Sequence, residues 1–258
     1  MRILLSATSA AFLLFAFAGA GRADDQVDLQ KVIDNAIKAQ GGAENLNKYK
    51  AVTLKMKGKF YMGEEGTDFT GELATQEPGK SRIDLSFEIM GKQAKFIQVF
   101  DGAKGWKQVK LGDMTVVDEE LNKESVAEAK ESDYAGSVGR LVVLKKKGFK
   151  LEPLGEVKVG DKPAIGVRVT HKGHRDISLF FDKKTGLMVK SERVIKDPDQ
   201  GGDTEITQAE LYEDYKDVKG VKHAHKLTIT RDGKKHVDAE ITEVKPAEKL
   251  DENIFSKP

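Results

Sequence analysis

The stretch Val52-Thr53-Leu54-Lys55-Met56-Lys57-Gly58-Lys59-Phe60-Tyr61-Met62 decides the fold. Val52, Leu54, Met56, Phe60 and Met62 alternate with Thr53, Lys55, Lys57, Lys59 and Tyr61. Successive side chains of a strand point to opposite faces, so this pattern predicts a strand with one apolar and one wet face. Ile83, Leu85, Phe87 and Ile89 alternate with Asp84, Ser86 and Glu88 in the same way. Further strands are expected at 95–100, 106–111 and 114–117. Beyond Gly148 the chain reads as strand and turn throughout, with strands at 154–159, 164–171, 176–182, 187–196, 204–215, 221–231 and 235–244. The links carry turn chemistry: Gly160-Asp161, Lys172-Gly173, Lys184-Thr185-Gly186, Lys219-Gly220 and Asp232-Gly233. Sequential strands on short turns imply an antiparallel meander. Eleven or twelve strands with one apolar face make a strongly curved sheet or barrel.

Two segments break the period of two. Leu29, Ile33, Ala36, Ile37 and Gln40 fall on one face of a helix over 28–40, which Gly41-Gly42 stops. Residues 118–147 contain no Pro and read as helix, with Tyr134, Val138, Leu141 and Val142 on one stripe. Gly136 and Gly139 interrupt that stripe, each costing about 1 kcal/mol relative to Ala, so two helical pieces or one weak helix are expected. The helices belong over the apolar concave face of the sheet.

The composition narrows the function classes. The 258 residues are 39% hydrophobic and 33% charged, with a mean hydropathy of -0.47. Beyond residue 23, 41 basic residues face 42 acidic ones, which argues against nucleic acid as a partner. The chain has no Cys, so disulfides, Cys-zinc sites and Cys nucleophiles are excluded. Residues 1–23 read as a secretory signal. Arg2 supplies the positive region, and 3–17 form an apolar stretch broken only by Ser6, Thr8 and Ser9. Cleavage patterns follow at Ala18-Gly19-Ala20 and at Gly21-Arg22-Ala23. The apolar run is shorter than the ~20 residues a spanning helix needs. The expectation is an exported protein that does not span a membrane once mature, with 24–258 as one domain.

Catalytic patterns are not found: no P-loop, no G-x-G-x-x-G, no G-x-S-x-G and no H-E-x-x-H. His223 and His225 are i, i+2 on one strand and share a face with Val221, Leu227 and Ile229. Two strand histidines can begin a zinc site, but no nearby carboxylate pattern completes this one, so cavity-lining histidines are expected. His171 and His174 flank the Lys172-Gly173 turn. Lys145-Lys146-Lys147 suits a helix C-terminus rather than a membrane surface. Trp106, the only Trp, opens a strand after a turn, where an aromatic is core or pocket lining.

The chain resembles the LolA-type family of periplasmic outer-membrane lipoprotein carriers. The amphipathic helix ending in Gly-Gly is one element of the likeness. Gly71-Glu72-Leu73 leading into Pro78-Gly79-Lys80-Ser81-Arg82 is similar to the family's strand, Pro turn and basic residue opening the next strand. Asp101-Gly102-x-x-x-Trp106 resembles its D-G-x-x-x-W turn, and Asp182-Lys183-Lys184-Thr185-Gly186-Leu187 its D-x-x-T-G-L hairpin. Asp214-Tyr215-Lys216-Asp217-Val218-x-Gly220-Val221-Lys222 is similar to the late strand pair of longer members. The resemblance spans most of 28–255. Two features depart from it: the chain is longer than typical carriers after Gly148, and His223-Ala224 stands where longer relatives have Phe-Pro.

The resemblance implies a mainly β (α+β) fold: an incomplete antiparallel barrel of about eleven strands under a helical lid. It implies a non-enzymatic carrier with no cofactor and no metal. The cargo would be lipoprotein acyl chains or another lipid. The partners would be an inner-membrane releasing complex and an outer-membrane acceptor. Leu54, Met56, Phe60, Leu85, Phe87, Phe96, Trp106 and Leu141 are the expected apolar lining. Arg82, His223 and His225 are the expected polar contacts with cavity and lid, Arg82 by its match to the family's cavity arginine. A sensor that reads envelope lipoproteins or stress and binds a protein partner is the competing reading. A hydrolase with a metal at His223 and His225, and a packed structural β domain, stand behind it.

Overall fold

The computed structural model describes residues 28–89, 91–197 and 204–258; the expected export signal lies outside them. The chain begins with α1 (Leu29–Gln40), where the Asp28 carboxylate accepts from the Lys31 N–H at 3.2 Å and caps the first turn. Ile33, Ala36 and Ile37 form its buried stripe. Gly41 ends α1, and a short α2 (Gly42–Lys48) follows at once. Six strands come next: β1 (Ala51–Tyr61), β2 (Gly66–Gln76), β3 (Lys80–Ile89), β4 (Lys92–Phe100), β5 (Gly105–Leu111) and β6 (Met114–Glu120). The chain then forms α3 (Lys123–Gly139), capped by the Asn122 side chain on the Ser125 N–H, and a 3-10 turn at Val142–Lys145. Seven strands complete the sheet: β7 (Phe149–Val159), β8 (Lys162–His171), β9 (Ile177–Asp182), β10 (Met188–Lys196), β11 (Glu205–Val218), β12 (Val221–Arg231) and β13 (Lys234–Ala247).

All thirteen strands join one antiparallel sheet in the order β6-β5-β4-β3-β2-β1-β13-β12-β11-β10-β9-β8-β7. Only β1 pairing with β13 departs from neighbour-to-neighbour pairing. It seals the two meanders together, while β6 and β7 remain as edges, so the barrel is incomplete. Among the described residues the count is thirteen, against the eleven or twelve that the alternation predicts. One strand that the alternation does not reveal is β2, whose Gly, Thr, Asp and Glu content hides its pattern.

Register defines the two faces. Leu54 stands opposite Leu73, and Leu73 opposite Ile83. On its other side Leu54 faces Val244. In the second half Tyr212 faces Leu227, and Leu179 faces both Val167 and Ser191. This is the concave face. On it, α1 and α3 bury Ile33, Ile37, Tyr134 and Val138 against Val167, Val169, Ile177, Leu179 and Phe181. The convex face of β2 and β4 carries a separate cluster. Ala74, Ile97 and Val99 there hold Phe255 of the C-terminal 3-10 turn (Glu252–Phe255).

The helical region differs from the expected 118–147. Residues 118–120 belong to β6, where Asp118 faces Gln108. The helix itself stays continuous through Gly136 and ends at Gly139, and Leu141 then turns the chain at φ 68°. Lys145 reaches back to Asp34 of α1 at 2.7 Å, an ion pair on an exposed surface.

Candidate functional site

Between the concave face and α3 lies a cavity of about 630 Å³. That size falls in the range of ligand sites. Its first wall is apolar: Leu54, Leu73 and Ile83 from β1–β3, with Leu46 of α2. Its opposite wall, on β9–β11, sets a polar group beside Ile177, Leu179 and Met188. Tyr212 donates to Glu210 at 2.8 Å, and Gln208 donates to the other carboxylate oxygen at 3.0 Å. With its proton committed, the Tyr212 oxygen accepts from Ser191 at 2.9 Å. Burial holds the Tyr212 hydroxyl well above the usual phenol range, with the Glu210 charge adding to it.

The roof is α3, and it is fastened mainly by polar contacts. Glu128 pairs with Arg175, one bond of 2.8 Å, and accepts from the Lys196 N–H at 3.3 Å. Burial alone would raise the Glu128 carboxyl, but the Arg175 and Lys196 bonds bring it below its usual value. Glu131 accepts from the Arg175 N–H at 3.0 Å and meets His174 Nδ1 at 2.9 Å. Tyr134 stacks on the His174 ring with centroids 3.9 Å apart. At the other side Asp133 accepts from the Gly79 N–H at 3.1 Å, so α3 bridges the half-barrel from the β8–β9 turn to the β2–β3 turn. Burial raises the Asp133 carboxyl.

The cavity also has a polar end. Arg140, just after α3, lies 3.0 Å from Glu77 and donates to the Leu46 carbonyl. His223 and Gln40 line the same end, and His223 Nε2 and Gln40 Oε1 are buried without partners among the described residues. Burial lowers the His223 pKa to about 4, with His225 and Arg140 acting in the same direction and Asp217 opposing them. His223 is therefore neutral at pH 7. The unfolded chain takes up this proton near 6.5, before the folded protein does. Stability tied to the neutral ring is complete above that pH and falls as pH drops from 6.5 towards 4. Urea melts at pH 7.5 and pH 5 are expected to show about 1 kcal/mol more acid loss in the wild type than in His223→Gln, after allowance for the ring's partial exposure. Equal losses would remove His223 from the acid response.

The expected site residues divide into three groups. Leu54 and His223 line the cavity, and His225 sits beside it with Nδ1 donating to the His223 carbonyl at 3.0 Å. Met56, Leu85 and Phe96 share the concave face through successive pairings with and across Gly71, and Phe60 and Phe87 lie above them, ring centroids 6.1 Å apart. These five continue the apolar face beyond the cavity. Leu141 is 1% exposed, packed in the core beneath the helices.

Arg82 and Trp106 require correction. Arg82 follows the parity of Asp84, which is opposite to that of Ile83 and Leu85, so it projects from the convex face. There it binds Asp84 at 2.6 Å and the Ile254 carbonyl at 3.3 Å, clamping the C-terminal turn. Trp106 pairs with Val99 and shares that convex side. The cavity arginines are Arg140 and Arg193 instead. Leu73 and Tyr212 also line the cavity without having been expected there.

An open antiparallel half-barrel with a helix closing a cavity against its concave face is a LolA-like fold. Solved structures share it. A LolA superfamily protein from Nitrosomonas europaea aligns with a TM-score of 0.53 and 9% identity, over 88% of this chain and 97% of its own. A DUF1329 family protein from Desulfovibrio piger aligns with a TM-score of 0.51 and 10% identity, over 88% and 96%. At such identities the likeness is one of fold. No family model and no curated protein matches the sequence.

Proposed function

We propose that the protein is a non-enzymatic periplasmic carrier that holds the acyl chains of lipoproteins, or another lipid, and delivers them towards the outer membrane. The observation that carries this reading is the 630 Å³ cavity between an apolar sheet wall and a polar-latched helix. Each acyl CH₂ buried there gives about 0.8 kcal/mol, so such a wall holds chains without specific hydrogen bonds. Loading and release need a cover that separates from the sheet. The α3 roof is fastened by carboxylates to Arg175, His174 and a few backbone N–H groups, while its buried apolar side chains, Tyr134 and Val138, lie towards one end. An inner-membrane releasing complex and an outer-membrane acceptor complete the proposed route. Among the described residues no helix is long and apolar enough to cross a membrane.

Native mass spectrometry of the mature protein, purified gently from the exporting cell, tests this. Co-purifying lipid or acylated peptide is the expected result. A bare polypeptide that also takes up no added acyl probe would overturn the carrier and favour a protein-binding sensor.

A further inference from the structure

Among the described residues, the cations of the cavity wall are compensated with two exceptions. Arg140 pairs with Glu77, and Lys80 with Glu252. Lys50 is exposed at the rim. Arg193 is half-buried, and no carboxylate among the described residues pairs with it; its recorded partner is Ser132 of α3, Nη2 to Oγ at 3.5 Å. Glu128 feels the Arg193 charge, but its oxygens are engaged by Arg175 and the Lys196 N–H. Arg193 stands opposite Ile177, which is 3% exposed, and opposite Gln208, so its guanidinium leaves the sheet on the concave side.

The contact with Ser132 is solvent-exposed, so the Arg193 guanidinium stands at the cavity mouth with its remaining donors open to an anion. The planar fork suits phosphate or carboxylate oxygens, with the Ser132 hydroxyl as an added donor. The apolar wall begins at β1, four strand positions from β10 in the sheet order. At ~4.8 Å per strand that is roughly 19 Å along the sheet. Arg193 and the Leu54, Leu73 and Ile83 side chains therefore stand at separate parts of the lining, an arrangement that orients an amphiphile.

We propose that Arg193, with Ser132, is the headgroup station of the cavity: it binds the anionic phosphate of an amphiphile beneath α3 while the chains lie towards Leu54, Leu73 and Ile83. This rests on the carrier reading and adds to it the charge and orientation of the cargo. A lipid phosphate and free phosphate share the recognising chemistry, so the test separates them.

The probes are dihexanoyl phosphatidic acid, dihexanoylglycerol and inorganic phosphate, each titrated below micelle formation into wild-type protein, Arg193→Gln and Arg193→Lys, with urea midpoints as the folding check. Wild type is expected to bind the phosphatidate about tenfold more tightly than the diacylglycerol. Arg193→Gln is expected to erase that preference, and Arg193→Lys to keep part of it. Equal affinity for both lipids in the wild type, or an unchanged preference in Arg193→Gln, would overturn the headgroup assignment and leave the carrier reading standing. Failure of wild type to bind either lipid would overturn both. Inorganic phosphate bound through Arg193 as tightly as the phosphatidate would make the station a free-phosphate site and also overturn the assignment.

Discussion

Gly41→Ala is expected to cost about 3–5 kcal/mol in a urea melt, a large share of the stability of a typical domain. Gly41 joins α1 to α2 at φ 133°, a conformation that side chains resist. A Cβ there would lie 2.2 Å from the Gly220 carbonyl oxygen. Neither side can easily retreat. Asn45 donates to the carbonyls of both Gly41 and Gly220, at 3.0 and 3.3 Å, and Asp217 accepts from the Gly220 N–H at 2.9 Å. The contact fixes the helical pair on the β11–β12 turn and so positions Leu46 and Gln40 at the cavity. Gly42→Ala is the control. Gly42 also has a positive φ of 83°, yet a Cβ there meets nothing within 4 Å. About 1 kcal/mol is expected from its backbone strain alone. Equal costs for the two variants would show that the close approach to Gly220 carries no energy.

That junction also shows where the sequence stops being legible. Gly41-Gly42 reads as a helix stop, and it is one, but the second helix behind it leaves no apolar stripe over seven residues. The alternating strands β1 and β3 were readable because one face is apolar and the other wet. In β2 the concave positions include Gly71, whose missing side chain lets Leu85 and Met56 close over it, so part of the apolar face is supplied by neighbours. Arg82 was misplaced because a motif match gives position along the chain, whereas parity with Ile83 and Leu85 gives the face. The polar group on β10 and β11 was not legible at all. Ser191, Arg193, Glu210 and Tyr212 look like the wet side of ordinary strands, and pairing across β10 and β11 places them under the roof. Local pattern carried the architecture, whereas long-range register and helix placement define the cavity.

Gly136→Leu is expected to move stability and ligand uptake in opposite directions. Gly136 lies inside α3 and lines the cavity, and a Cβ built there meets nothing within 4 Å. Replacing Gly by Leu in a helix interior gains about 0.8 kcal/mol. The urea midpoint of the variant should therefore rise slightly. The four added carbons, however, occupy space that chains of a bound lipid would use. Displacing three or four methylenes at about 0.8 kcal/mol each costs roughly 2–3 kcal/mol, a loss of about 30- to 150-fold in affinity for a long-chain acyl probe. A shorter probe, which leaves that space empty, should lose much less. Most substitutions that weaken binding also weaken the fold, so a stabilised variant with poor uptake isolates occupancy of the cavity from integrity of the protein. Undiminished uptake of the long-chain probe by the stabilised variant would place the lipid outside the space beneath α3, and the carrier mechanism would need another surface.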